Sequence, residues 1–149
     1  MSTLTAELET HGSQNQAGPL TGDERRAVHH AYTLLYAAFI VAPIVAGLDK
    51  FFDVLVQWEQ YLAPAAVSAL PVAPHTFMMI VGAIEIVAGL LVLWRPSVGG
   101  YVVAVWLWGI ILNLLWGRGH YDIALRDFGL SLGALALAQI GRLSPRFFR

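Results

Sequence analysis

Four long apolar stretches alternate with short polar ones along the chain. They cover residues 31–48, 75–94, 98–116 and 122–140. Each has about 18–20 residues, which is the length that a helix needs to cross ~30 Å of hydrocarbon. The pattern therefore predicts an all-α, polytopic membrane protein whose four transmembrane helices pack into a bundle.

The connection between the first two stretches has a pattern of its own. In LDKFFDVLVQWEQYL, apolar residues recur at helical spacing at Phe51, Leu55, Trp58 and Leu62, and polar residues take other positions around the turn. This pattern is typical of an amphipathic helix that lies on a membrane surface. We expect an interfacial amphipathic helix here, between spans one and two.

The segments outside the apolar stretches indicate the domain boundaries and the orientation. Residues 1–24 are polar and aperiodic, which predicts a flexible tail, and TGDE at its end is a helix-capping sequence. Residues 25–142 are expected to form the transmembrane domain, and residues 143–149 a basic tail. Six basic residues fall on the side of the termini and three on the other side, which favours cytoplasmic termini. We expect a multi-pass protein of the bacterial cytoplasmic membrane.

The composition agrees with lipid as the surrounding solvent and excludes several classes of function. Apolar residues make up 57% of the chain and charged residues 13%, against roughly 45–50% and about 25% in soluble domains. The net charge of −1 and the lack of a basic tract exclude nucleic acid as a partner. Because the chain has no cysteine, thiol chemistry and Cys-ligated metals are excluded, and no metal site is expected. Motifs of hydrolytic or nucleotide chemistry are also missing.

Glu85 interrupts the second span near its middle. It lies ~15 Å from the outer end of that helix at 1.5 Å per residue, where an ionised carboxylate is costly unless it is paired. Gly82 and Gly89 share its helix face, which predicts close packing against another helix. Glu85 is therefore expected to face protein.

Further polar residues belong to the same half of the predicted bundle. Arg126 shares a face with Gly129 and Gly133, a small-residue packing motif, so Arg126 and Glu85 are candidates for an ion pair. Asp127 and Lys50 are candidates for a second pair. The expected buried polar cluster consists of Lys50, Asp49, Glu85, Asn113, Arg126 and Asp127, and the expected helix-packing glycines are Gly47, Gly82, Gly89, Gly129 and Gly133.

Three interpretations of this polar cluster stay open. Buried ion pairs can fix the register of helices, which is a structural role. The cluster can instead line a pocket at the outer face that holds a quinone head group, a proton or a small anion. Contact with another subunit is the third interpretation.

Two histidines and two tryptophans also have alternative interpretations. His75 and His120 lie at the outer ends of spans and could hold a haem. Haem-carrying bundles usually place their ligands inside the helices, so haem is the less favoured cofactor, and no covalently bound cofactor is expected. Trp106 and Trp108 lie mid-span, where core packing or lipid contact is favoured over the lining of a cofactor pocket.

Three stretches of the chain resemble the DoxX-like family of small four-span membrane proteins. They are AGLDKFF (46–52), VGAIEIVAGLLVLWRP (81–96) and YDIALRDFGLSLGALALA (121–138). Their order and spacing are similar to the family pattern, with Gly-x-x-Lys at the end of span one, Gly-x-x-Glu inside span two and Arg near the start of span four. The similarity spans residues 30–142 and marks Gly47, Lys50, Gly82, Glu85, Arg126 and Asp127.

The resemblance implies a role in membrane redox chemistry. The family includes a membrane subunit of a thiosulfate:quinone oxidoreductase. By this resemblance we expect an accessory or anchoring subunit of a quinone-linked complex, in contact with lipid and with other subunits or further copies of itself. Alternatives are a quinone-binding oxidoreductase subunit that uses Glu85 and Arg126, and a small transporter or channel.

Overall fold

The computed structural model describes residues 20–69, 71–117 and 119–147, with side chains described as far as residue 143. By its internal contacts the chain divides after His30 into two units. The elements of the described residues are α1 (Gly22–Asp49), a 3₁₀ turn (Trp58–Tyr61), α2 (Pro64–Ala69), α3 (Pro74–Trp94), α4 (Pro96–Gly117) and α5 (Tyr121–Phe147). The predicted helical fold class is confirmed for this part of the chain.

Four of the helices are long and apolar enough to cross a membrane, namely α1, α3, α4 and, as far as Leu143, α5. They contain the four predicted spans, and α3 and α4 begin and end within two residues of the predicted limits. Both begin with proline, whose missing N–H costs nothing at the first helical position. Large apolar side chains are exposed on these helices, among them Ile84, Val87, Val105 and Leu112. Such surfaces suit a multi-pass membrane protein.

A capping box starts α1. The Thr21 hydroxyl accepts a hydrogen bond from the N–H of Glu24 (3.3 Å), and the Glu24 carboxylate accepts one from the N–H of Thr21 (2.7 Å). The two bonds satisfy N–H groups that have no partner within the helix. Helix α1 therefore begins at Gly22, inside the range predicted as a flexible tail. Residues 1–19 of that tail lie outside the described residues.

Glycines lie at close contacts between the helices of residues 31–143. A methyl group on Gly47 of α1 would lie 2.5 Å from the carbonyl oxygen of Gly82 of α3, so the two helices meet backbone to backbone. Gly89 of α3 also faces α1, where a methyl group would come within 2.7 Å of a side chain. Gly133 of α5 lies against the ring of Phe39. These small residues allow the close approach that holds membrane helices together by dispersion contacts.

Gly129 differs from the other predicted packing glycines. It is exposed, and a methyl group there would meet nothing within 4 Å. The Gly129-x-x-x-Gly133 motif therefore packs within the described chain through Gly133 alone.

The apolar core combines small residues with a few large ones. Its buried members are Phe39, Ala88, Val92, Val103, Ala104, Ala134 and Leu137. A second cluster, between α4 and α5, consists of Ile111, Leu114 and Ala124. The four long helices thus share an apolar interior, against which the few buried polar groups are exceptions.

The connection between α1 and α3 does not form the predicted amphipathic helix. Residues 50–57 are turns, bends and irregular chain, followed by the 3₁₀ turn and the short α2. The Asp49 carboxylate competes for the backbone, since it accepts the N–H groups of Val54 (3.0 Å) and Leu55 (2.9 Å). An α-helix would give these groups to carbonyls four residues back. Asp53 also adopts a left-handed φ of 50°, which interrupts any right-handed helix.

Candidate functional site

A buried ion pair joins α1 to α3. Lys50 Nζ donates to Glu85 Oε2 at 2.6 Å, and the two side chains are only 3% and 9% exposed. Lys50 lies three residues after Gly47, and Glu85 lies three residues after Gly82. These two glycines are the positions at which the helices touch. Because residues three apart share a helix face, the glycine contact holds the lysine and the glutamate towards each other.

Three different groups surround the Lys50 ammonium. Besides Glu85, it lies 3.4 Å from the carbonyl oxygen of Ala46 and 3.5 Å from the centre of the Trp58 ring. The carboxylate balances its charge, the carbonyl accepts a second N–H, and the indole face adds a cation–π contact. These partners offset the desolvation that a buried ammonium would otherwise suffer.

Asp49 places Trp58 over Lys50. Its Oδ2 accepts the indole N–H of Trp58 at 2.8 Å, while its Oδ1 holds the backbone N–H groups of residues 54 and 55. Asp49, the last residue of α1, and Lys50, which follows it, therefore use one indole, since its N–H edge binds Asp49 and its face covers Lys50. We call residues 50–62 the covering loop, because they fold back over the end of α1.

The ion pairs differ from both pairs that the sequence suggested. Glu85 binds Lys50 and not Arg126, whose Nε lies instead 3.5 Å from Asp127 Oδ1. The Arg126 side chain is 68% exposed, whereas Asp127 is buried. Asp127 is within electrostatic range of both Lys50 and Glu85. Helix α5 thus contributes Asp127 to the buried cluster and keeps Arg126 on its outside.

Asn113 attaches the covering loop to α4. Its Nδ2 donates to the carbonyl oxygen of Tyr61 (2.7 Å), and its Oδ1 accepts the N–H of Ala63 (3.2 Å). The Tyr61 ring in turn contacts His120 edge-on, with ring centres 5.0 Å apart. This predicted site residue therefore positions backbone, because both ends of its amide are used by the loop.

Trp106 places a buried indole N–H beside Glu85. Its indole N–H is buried and makes no hydrogen bond among the described residues, although the side chain is close enough to Glu85 to interact with it. Leaving such a group unpaired costs about 1–3 kcal/mol. The other mid-span tryptophan, Trp108, is exposed and packs edge-on against Phe128.

An apolar groove lies beside the covering loop, between α2 and α4. Its volume is about 420 Å³, and its lining includes Ala66, Leu112, Asn113 and Trp116. Asn113 supplies its polar atoms, and that amide is already bonded to the loop. The groove offers apolar contact but few groups to orient a polar ligand.

A second polar cluster lies at the start of α3. His75 Nδ1 is 2.8 Å from Glu59 Oε1 and 3.5 Å from Asp53 Oδ2. The backbone N–H of Glu59 itself, and then the His75 ring, hold the pKa of Glu59 below its usual range. His75 is thus bound to loop carboxylates while His120 packs on Tyr61, so the two candidate haem ligands have different partners.

Sequence reasoning missed Asp53, Trp58 and Glu59 as site residues. The helical interpretation of residues 51–62 distributed them around an interfacial helix, and the spacing 53, 59 and 75 matches no ligand motif. The available signal was position alone. Two acids stand in the connection that directly precedes the Pro-His start of the next span.

No family model, no curated protein and no solved structure matches this chain. The class of the protein follows from its own features. Four helices are long and apolar enough to span a membrane, and a charged pair is buried between two of them. This combination suits a multi-pass integral membrane protein.

Proposed function

We propose that this chain is a DoxX-like integral membrane protein that acts as an accessory or anchoring subunit of a quinone-linked redox complex. Its setting is the bacterial cytoplasmic membrane, with both termini in the cytoplasm. The observation that supports this proposal is the meeting of two stretches that resemble the family. Gly47 packs on Gly82, and Lys50 pairs with Glu85. Two motifs that are distant in sequence therefore meet at one contact between helices.

The closed ion pair favours an accessory role over a catalytic one. A group that moves protons or binds substrate must be within reach of its reaction partner. Lys50 is instead covered by Trp58, and both buried side chains are bonded to each other. On this account the pair fixes the register of α1 against α3. Electron transfer is then carried out by partner subunits.

Purification under mild conditions tests this proposal. The full-length chain, carrying an affinity tag, is extracted from its native membrane in a gentle detergent, and co-purifying proteins and quinones are identified by mass spectrometry. We expect redox subunits in stoichiometric amounts. An unrelated multi-pass protein with the same tag is the control. Isolation of the chain without any redox subunit would contradict the proposal.

The buried indole N–H of Trp106 favours a second function. This indole lies beside Glu85 and could turn its N–H from that carboxylate to a quinone carbonyl, with Arg126 at the outer edge of the same cluster. The chain would then itself be the quinone-binding subunit of an oxidoreductase.

Trp106→Phe separates the second function from the first. The change removes the N–H and keeps an aromatic ring, so quinone affinity should fall about tenfold if a hydrogen bond to the ligand is lost. The measurement is a binding titration with a short-chain quinone on the detergent-solubilised protein. Trp108→Phe is the matched control on the same helix. Equal affinity in both variants would rule out the role of Trp106.

A further inference from the structure

Asp53, Glu59 and His75 present metal-ligand atoms to a common point. One imidazole nitrogen and two carboxylate oxygens, one from each residue, all lie within 4.8 Å of one another. His75 Nδ1 is 2.8 Å from Glu59 and 3.5 Å from Asp53. Two ligands at ~2.1 Å from a shared ion are about 3.0–3.4 Å apart for right-angled to tetrahedral geometry. The distances to the imidazole are therefore close to those that a small cation requires.

A separate observation concerns the second oxygen of Asp53. Its Oδ1 is buried and has no hydrogen-bond partner among the described residues. Buried carboxylate oxygens are normally paired. A cation held by both oxygens of Asp53 would provide the missing partner.

The charges around His75 also favour a cation. Two carboxylates converge on one ring nitrogen, and like charges held this close repel each other. A divalent ion balances both carboxylates while the imidazole stays neutral and coordinates through its lone pair. An imidazole with two carboxylates suits Zn²⁺ and its neighbours in the first transition row, whereas Mg²⁺ and Ca²⁺ prefer ligand sets made of oxygen alone.

We propose that Asp53, Glu59 and His75 form a binding site for a divalent transition-metal ion such as Zn²⁺. The site joins the covering loop to the start of α3, and its side chains are 26%, 30% and 48% exposed, so an ion can enter from solvent. With both oxygens of Asp53 bound, the three residues supply four donor atoms, and a five-coordinate ion keeps one position for water or another molecule. The site stands independently of the redox role, because it uses none of the residues that support it.

Zinc binding by the purified full-length protein tests the proposal. The protein is prepared with a tag that contains no histidine, stripped with a chelator and titrated with Zn²⁺ in detergent by calorimetry. We expect one Zn²⁺ per chain. His75→Gln and Asp53→Asn should each weaken binding at least about tenfold, since each replaces a strong Zn²⁺ ligand with a neutral amide that binds it poorly. Absence of saturable binding, or equal affinity in His75→Gln, would overturn the proposal.

Two controls separate this site from other causes of metal binding or its loss. His120→Gln removes a histidine that contacts the loop through Tyr61 but lies outside the triad, and it should leave the affinity unchanged. Asp53→Asn keeps the size of the side chain, so helical content by circular dichroism should match the wild type. Loss of zinc binding in His120→Gln as well as His75→Gln would place the ion elsewhere.

The absorption spectrum of the zinc-loaded protein at the metal edge is a second readout. The proposed ligands give a first shell of nitrogen and oxygen with the scattering pattern of a single imidazole. A pattern of two or more imidazoles would overturn the assignment.

Discussion

At the scale of single residues, Lys50 shows how a charge is kept inside an apolar bundle. Its ammonium contacts a carboxylate, a carbonyl oxygen and an aromatic face, supplied by Glu85, Ala46 and Trp58. Each partner replaces part of the lost hydration. Removing one charge alone therefore destabilises the protein far more than removing both charges together.

Glu85→Gln should therefore lower the free energy of unfolding by about 3–5 kcal/mol, since it leaves the Lys50 charge buried without a counter-ion. Lys50→Met should lower the free energy of unfolding by a similar amount, because it leaves the Glu85 charge buried without a counter-ion. The double variant Lys50→Met/Glu85→Gln, which carries neither charge, should recover much of the loss. The measurement is a double-mutant cycle from denaturation in detergent micelles. Arg126→Gln, which removes an exposed charge, is the control, and additive effects of the two single changes would argue against coupling.

The sequence identified most charged members of the buried cluster but not their pairing. Helical rise puts Glu85 and Arg126 about 8 Å apart in depth, and they were suggested as a pair because both lie on small-residue faces of antiparallel spans. Which way a side chain points depends on how the helices are rotated, and that is set by the Gly47–Gly82 contact. Lys50 reaches back along its own helix to Ala46 and so meets Glu85, a direction that spacing does not reveal.

At the scale of elements, the glycines determine which helices touch. Gly82 and Gly129 both lie on long helices, yet a methyl group would meet a backbone oxygen at 2.5 Å on the first and open space on the second. Spacing predicted both as packing positions. Only the arrangement of the neighbouring helices distinguishes them.

Gly82→Ala should cost about 1–3 kcal/mol of stability, because α1 and α3 must move apart. Gly129→Ala is the matched control, where stability should stay unchanged or rise by up to about 1 kcal/mol through helix propensity. Thermal unfolding of the two variants in the same detergent gives the comparison. Equal midpoints would show that the α1–α3 contact contributes little.

The covering loop is the element that the sequence predicted least well. Phe51, Leu55 and Trp58 have helical spacing, but the loop backbone is bonded to Asp49 and its apolar side chains are not lined up on one helix face. The Asp49 carboxylate accepts backbone N–H groups that an α-helix would use, so the loop does not form the helix that the periodic pattern predicted. The long helices were predictable because their apolar length admits few alternatives.

At the scale of the whole molecule, the four candidate spans and the distribution of basic residues support the proposed topology. Both termini are proposed to lie in the cytoplasm, and the connections after α1 and after α4 on the opposite side. The chain has no cysteine, so any cysteine that is introduced is the only thiol and reports its own position.

Gly22→Cys and Gly119→Cys form a matched pair for testing this topology, because a Cβ atom at either position meets nothing within 4 Å among the described residues. A membrane-impermeant maleimide added to intact cells or spheroplasts should label the cysteine at position 119. The cysteine at position 22 should react only after permeabilisation. The reverse pattern would invert the proposed orientation.

The ion pair between α1 and α3 also has a consequence for biosynthesis. A lone charged residue in the middle of a membrane helix costs about 2.5–3.5 kcal/mol on insertion, and Glu85 emerges from the ribosome 35 residues after Lys50. Pairing with Lys50 lowers this cost only if Lys50 is close to Glu85 when α3 enters the membrane. We therefore expect α1 to stay at the insertion machinery until α3 has been synthesised, so that the two helices enter the lipid together as a hairpin.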